Sequence, residues 1–226
     1  MRTLAIWLSI GFLAWGALPV AMAAPTAPPL VVLDPGHGGE DPGAVAATGL
    51  TEKSVNLSVA RDCGTYLKAH GVSVVYTRAG DHAAWSSGPF RVLPDLRYRA
   101  ALPQIRHAQL FVSIHSNSEP TGTMFGPIVY YDIHNPASYP LAREMAPYLW
   151  RVGPPHWAPR PVEQLVLEKS RVPSVNVELG FLSNKRNAAL LRQPWYQETL
   201  AQAIGRGIIH YLSVHPASPA ALRPGP

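Results

Sequence analysis

Short runs of β-branched and aromatic residues recur along this chain, separated by longer segments of helical period and by Gly/Pro punctuation. Residues 30–34 (LVVLD), 72–78 (VSVVYTR), 110–114 (LFVSI), 127–132 (PIVYYD), a stretch near 163–168 and 174–179 (SVNVEL) read as strands, because short apolar runs bounded by turn residues are the mark of buried strands. Between Glu52 and Ala69 the period changes. Val55, Val59, Cys63 and Leu67 form one apolar stripe at helical spacing, with Thr51 at the N-cap position and Gly71 just past the end. Further helices are predicted over about Leu96–Ile105, Tyr139–Arg151 and Trp195–Val214. Strands alternating with helices in this order predict an α/β fold: one domain with a twisted, mostly parallel sheet and helices on both faces.

The ends of the chain differ from this middle. Residues 1–23 hold one charge, Arg2, then an apolar run from Leu4 to Leu18 and the small-x-small sequence Ala21-Met22-Ala23, which is the form of a signal peptide. The run is shorter than the ~20 residues of a bilayer span, and Pro19 interrupts it, so no membrane span is expected after cleavage. A short linker (24–29) then precedes one domain over 30–214, and the Pro/Ala-rich tail 215–226 is expected to be disordered. The lone Cys63 allows no internal disulfide and lies in the apolar stripe, where a small buried hydrophobe is the expected role. Net charge is +5, but the arginines are scattered singly and form no basic run, which argues against a nucleic-acid partner.

Candidate chemistry sits where the apolar runs end. His37 lies in a Gly/Pro loop straight after the first strand, Glu52 opens the first helix, His115 closes the third strand and Glu178 closes the last. In open α/β sheets ligands bind at the carboxyl ends of the strands. Two imidazoles and one carboxylate are the ligand set of a catalytic zinc with an open position, and a second carboxylate beside them suits a general base. These residue types alone leave open which glutamate ligates.

Four motifs occur in order: DPGHGGEDPGA (34–44), TGLTEK (48–53), LFVSIHSNS (110–118) and VELGFLSN (177–184). The chain resembles the zinc-dependent N-acetylmuramoyl-L-alanine amidases of the amidase type 3 family from about Leu30 to Leu212. That resemblance implies a six-stranded mixed sheet similar to the zinc exopeptidases, one Zn2+ per chain held by His37, Glu52 and His115, and Glu178 as the catalytic carboxylate. It further implies cleavage of the amide between N-acetylmuramic acid and L-alanine in peptidoglycan. An exported chain with that substrate belongs in the periplasm, with the extracellular wall as the alternative.

Other residues have two readings each. Asp34 either orients a ligating imidazole or stabilises the Asp-Pro-Gly turn, and Asn117 either binds substrate or caps its own loop. Trp85, Phe90 and Trp157 are loop aromatics suited to sugar stacking or to packing back on the domain. Some division amidases of this family carry a long occluding helix between the second His motif and the catalytic Glu. Here the interval from His115 to Glu178 must already hold a strand, a helix and another strand, so no obligatory activator is expected, and the protein is expected to act as a monomer. The rival readings are another zinc amidohydrolase or peptidase on the same fold, or a non-catalytic wall-binding domain.

Overall fold

The computed structural model describes residues 27–216, so the expected signal peptide, the start of the linker and residues 217–226 of the tail lie outside the described residues. The chain runs β1 (Leu30–Pro35), α1 (Glu52–Ala69), β2 (Ser73–Tyr76), α2 (Val92–Ile105), β3 (Leu110–Asn117), β4 (Ile128–Asp132), α3 (Ser138–Trp150), β5 (Arg160–Val162), α4 (Leu165–Glu168), β6 (Ser174–Phe181), α5 (Lys185–Leu191) and α6 (Pro194–Val214). One six-stranded sheet has the order β2-β1-β3-β6-β4-β5. The first four strands are mutually parallel, β4 is antiparallel to β6, and β5 follows β4 in parallel. The expected α/β fold with a mostly parallel mixed sheet is therefore present.

Side-chain alternation divides the strands between two cores of unequal size. Val31 and Leu33 of β1, Val112 and Ile114 of β3, and Val175, Val177 and Leu179 of β6 enter the larger core with α1, α3 and α6. Cys63 is fully buried in it, and that burial pushes its thiol pKa up, so it acts as a packed hydrophobe. Val32 and Phe111 point the other way, into a smaller core with Leu102, Val166 and Leu167 under α2 and α4. Only 14 residues of α2 and four of α4 cover this second face, which leaves its carboxyl end available for polar chemistry.

Three elements depart from the sequence reading. The strand expected near 163–168 is instead the edge strand β5, ending at Val162, followed by the single helical turn of α4. A three-residue apolar run, Leu165 to Leu167, has no period to tell strand from helix, whereas Pro161 is tolerated where a strand edge needs no donor. Helix α2 begins at Val92, four residues before the expected start, because Pro94 falls in the first turn, whose N–H groups need no helical partner. Helix α5 was unanticipated; Asn184 caps it by accepting hydrogen bonds from the Arg186 and Asn187 amides.

Thr51 stands at the N-cap of α1 with extended backbone, but its hydroxyl does not cap the helix and is given to Ser54. The first helical amides are satisfied by the preceding loop instead: Glu52 N donates to Ala44 O at 2.8 Å and Lys53 N to Pro42 O at 3.2 Å. The His37 loop and the start of α1 are thereby one hydrogen-bonded unit.

Candidate active site

Strand register sets His115 beside Glu178, and the loop after β1 with the start of α1 brings His37 and Glu52 to the same end of the sheet. Pro35 of β1 is level with Ile114 of β3, and His115 is level with Glu178 of β6. Asp34, Ser113, His115, Asn176 and Glu178 occupy the alternate positions that face α2 and α4, opposite to the large-core residues. A register irregularity between His115 and Asn117 turns the Ser116 amide toward Glu52, which accepts its hydrogen bond at 3.0 Å.

His37, Glu52 and His115 converge, with one donor atom of each lying within 4.8 Å of the other two. Glu52 Oε1 is 3.2 Å from His37 Nε2 and 2.9 Å from His115 Nδ1, and Oε2 accepts the Ala44 amide at 2.8 Å. Burial opposes ionisation of Glu52, but hydrogen bonds and charge from the two imidazoles outweigh it and hold its pKa far below the usual carboxylate range. His37 Nδ1 is given to Asp41 at 2.7 Å, so Nε2 is the atom presented to the group. Burial disfavours the His37 cation, yet Glu52 and Asp41 together raise its pKa to about 9. Two imidazole nitrogens and one carboxylate oxygen, converging in this way, fit a zinc ion.

The loop is shaped for these side chains. His37 itself adopts φ +61°, a left-handed conformation uncommon for a non-glycine residue. At Gly36 a Cβ would lie 2.2 Å from the His115 ring, and at Gly43 it would lie 2.6 Å from both Glu52 Oε2 and His37 Cδ2. Both positions therefore exclude a side chain.

Glu178 stands beside the three-donor group but outside it. It is 7% exposed; Oε1 accepts from Asn176 Nδ2 at 3.0 Å, and Oε2 is buried without a partner. Burial raises its pKa to about 7, with the Glu52 charge adding to the effect and His115 and Asn176 opposing it. A buried carboxylate oxygen without a partner is costly unless something arrives to use it.

Asp34 makes no hydrogen bond to either imidazole. Its carboxylate accepts from Thr77 at 2.6 Å, Ser113 at 2.7 Å and Arg99 at 2.7 Å, and these partners overcome burial to depress its pKa. Arg99, also paired with Asp95, donates to the carbonyls of Pro35 and His37. Asp34 thus supports the His37 backbone through Arg99 rather than orienting a ring. Asn117 caps its own loop, accepting the Ser118 amide at 2.7 Å.

Several supporting residues escaped the sequence reading. Arg78 is buried and spends its donors on the carbonyls of Pro35, Gly36, Lys53 and Gly80. Asn56 holds Ser116 at 3.0 Å and reaches Glu52 Oε1 at 3.4 Å. Asp41 had a local signal, a carboxylate four residues after His37 in the same Gly-rich loop; Arg78 had none.

A cavity of about 320 Å3 opens beside His37 and His115 and is walled on its far side by Phe90, Leu96, Leu165 and Val166. Trp157 is unavailable for stacking on the face that Arg160 covers at 5.1 Å. The 80–94 segment is tied down at its start by Asp81, which accepts from Lys53 at 2.9 Å and from the Gly39 amide at 2.9 Å.

Residues 31–210 match a family model described as N-acetylmuramoyl-L-alanine amidase. The chain is similar to the N-acetylmuramoyl-L-alanine amidase LytC of Bacillus subtilis, at 35% identity over 184 residues that cover 80% of this chain and 35% of that protein. It is 34% identical over 190 residues to the germination-specific N-acetylmuramoyl-L-alanine amidase of the same organism, covering 81% of this chain and 80% of the relative. Among solved structures, the CwlD amidase of Clostridioides difficile, in complex with the GerS lipoprotein, matches with a TM-score of 0.78 at 31% identity, covering 82% of this chain and 99% of that one.

Proposed function

The chain belongs to the N-acetylmuramoyl-L-alanine amidase family, and from that premise we propose that it hydrolyses the amide joining N-acetylmuramic acid to L-alanine in peptidoglycan, with one Zn2+ held by His37, Glu52 and His115. The observation that carries the proposal is the pairing of a convergent three-donor group with the buried, partnerless Oε2 of Glu178 at the same sheet end.

When bound, zinc supplies a Lewis acid and makes water acidic enough to attack near neutral pH. The chain's own residues do the rest. Asp41 fixes the His37 ring, and Arg78 and Arg99 hold the loop carbonyls so that the donor set is preorganised. Glu178 accepts the proton of the attacking water on Oε2 and returns it to the departing amine of L-alanine, while Asn176 holds Oε1 still. Burial raises the Glu178 pKa in the metal-free site, and a raised carboxylate suits a group that must both take up and return a proton.

Export through residues 1–23 to the periplasm, with removal of that signal, fits a wall polymer as substrate; no described helix is long and apolar enough to cross a membrane. Activity as a monomer without a protein activator belongs to the same proposal, because β4, α3, β5 and α4 occupy the interval from His115 to Glu178 and the cavity beside the histidines is open. Digestion of purified sacculi tests the reaction. The expected products are peptides with a new L-alanine amino terminus and glycan strands with free lactyl carboxyls. New reducing sugar ends, or cuts within the stem, would replace this reading with a glycosidase or a peptidase.

A further inference from the structure

Beyond Glu178, the same face of the sheet carries a second ordered polar group. Ile128 of β4 is level with Glu178 and Tyr130 with Asn176, and Arg160 of β5 is level with Tyr130. Residues directly opposite one another share a face, so Glu178, Asn176, Tyr130 and Arg160 form one continuous surface. The Arg160 guanidinium lies over the Trp157 ring, 5.1 Å from its centroid. That ring is fixed: its Nε1 donates to Phe125 O at 3.0 Å, and the Trp157 carbonyl accepts from Trp150 Nε1 at 2.9 Å. Tyr130 joins the two ends of the surface, level with Asn176 on one side and with Arg160 on the other; burial and the Glu178 charge raise its phenol, and charge and a side-chain hydrogen bond from Arg160 oppose them.

Arg160 differs from the other arginines near the site. Arg78 and Arg99 are buried and spend their donors on the protein, whereas Arg160 is exposed and, among the described residues, pairs with no carboxylate. Nearby Glu163 turns to His134 instead, at 3.5 Å. A guanidinium placed over an indole, with Tyr130 beside it and no carboxylate partner among the described residues, has donors left for binding a carboxylate.

The chemistry of the substrate says which half meets it. The muramoyl half has given its lactyl carboxyl to the scissile amide, while the peptide half carries free carboxylates, beginning with the acidic residue after L-alanine. Glu178 and Arg160 are offset by two strand spacings, about 10 Å, and two residues, about 7 Å. A peptide residue two positions along an extended stem, about 7 Å away, and the length of the arginine side chain together span that separation.

We infer that Arg160, seated on Trp157 beside Tyr130, binds the free carboxylate of the acidic stem residue that follows L-alanine, so that the peptide leaves the scissile bond across β4 and β5 and the glycan lies on the other side. The inference rests on the amidase reading, and its test separates the two. Zinc-loaded wild type, Arg160→Gln and Arg160→Lys are compared on two muramoyl-tripeptides that differ only in whether this carboxylate is free or amidated. Arg160→Gln should lose at least ~10-fold in kcat/KM on the free acid, mainly through KM, change less than ~3-fold on the amide, and be partly restored by Lys. Calorimetric binding of the two free tripeptides is measured in parallel. Equal losses on acid and amide, or no loss on either, would overturn the subsite. If wild type cleaves neither substrate, the amidase reading fails. In that case binding of the acidic tripeptide decides the subsite: at least ~10-fold weaker binding to Arg160→Gln upholds it, and equal binding overturns it.

Discussion

His37 gives Nδ1 to Asp41, four residues along the same loop and 2.7 Å away, and so presents Nε2 to Glu52. Partners of this kind fix the tautomer and the ring orientation of a metal-bound imidazole and raise its basicity. Asp41→Ala should therefore weaken zinc binding by ~10–100-fold, the usual scale for losing such a partner. A competition titration against a chromogenic chelator measures this, and an unchanged zinc affinity would remove Asp41 from the site.

The same pair gives zinc uptake a pH dependence. Burial disfavours the His37 cation, but Glu52 and Asp41 outweigh it and raise the pKa of the metal-free group to about 9. Below that pH the ring holds a proton that the metal must displace, so affinity should climb by up to ~10-fold per pH unit from pH 6 and level off above about 9. Calorimetry in buffers of different ionisation enthalpy should show proton release on binding. Affinity independent of pH between 6 and 8 would contradict it.

Asp34 and Arg99 are a buried pair at 2.7 Å, and Arg99 also holds the His37 carbonyl. Removing Asp34 leaves Arg99 with Asp95 as its remaining carboxylate partner and takes the acceptor from the buried Thr77 and Ser113 hydroxyls, so Asp34→Ala should cost ~1–3 kcal/mol in denaturant unfolding of the zinc-free protein. Because the Asp34 pKa is depressed in the folded state, its stabilisation is present at neutral pH and is lost as pH falls below the usual carboxylate range. A loss under 1 kcal/mol would mean that Asp95 alone holds Arg99 and that the stranded hydroxyls find other acceptors.

Two glycines with positive φ separate loop strain from site geometry. At Gly43 (φ +64°) an added Cβ meets Glu52 and His37 at 2.6 Å, whereas at Gly49 (φ +80°) nothing lies within 4 Å. Gly49→Ala should cost roughly 1 kcal/mol of stability through backbone strain and keep full zinc content. Gly43→Ala should lose zinc as well. Equal zinc retention in the two variants would show that the loop around Gly43 yields freely.

Much of this site was legible in the sequence because a strand end announces itself: a short apolar run stops, and the next polar residue stands at the sheet's carboxyl edge. His37, His115 and Glu178 were found that way, and Glu52 as the opening of a periodic segment. The Arg78 clamp was not, since it bonds to carbonyls far away in sequence and leaves no spacing to read. Asp34 reads in the sequence as either an imidazole partner or a turn residue, and its partners are Thr77, Ser113 and an arginine in α2. Helix α4 was misread because Leu165, Val166 and Leu167 suit a buried strand as well as a buried turn of helix.

The division of labour between three ligands and one base is the central claim, and zinc content measured together with turnover tests it. Wild type, His115→Ala and Glu178→Gln are each assayed for bound zinc and for release of L-alanine-terminated peptides from purified sacculi. Wild type should hold about one zinc per chain and cleave, and chelation should abolish cleavage without unfolding the domain. His115→Ala should lose both metal and activity. Glu178→Gln should keep its zinc while kcat falls by at least ~10²-fold, the scale of general acid–base catalysis. A Glu178→Gln protein that loses zinc, or that turns over at the wild-type rate with zinc bound, would contradict the account.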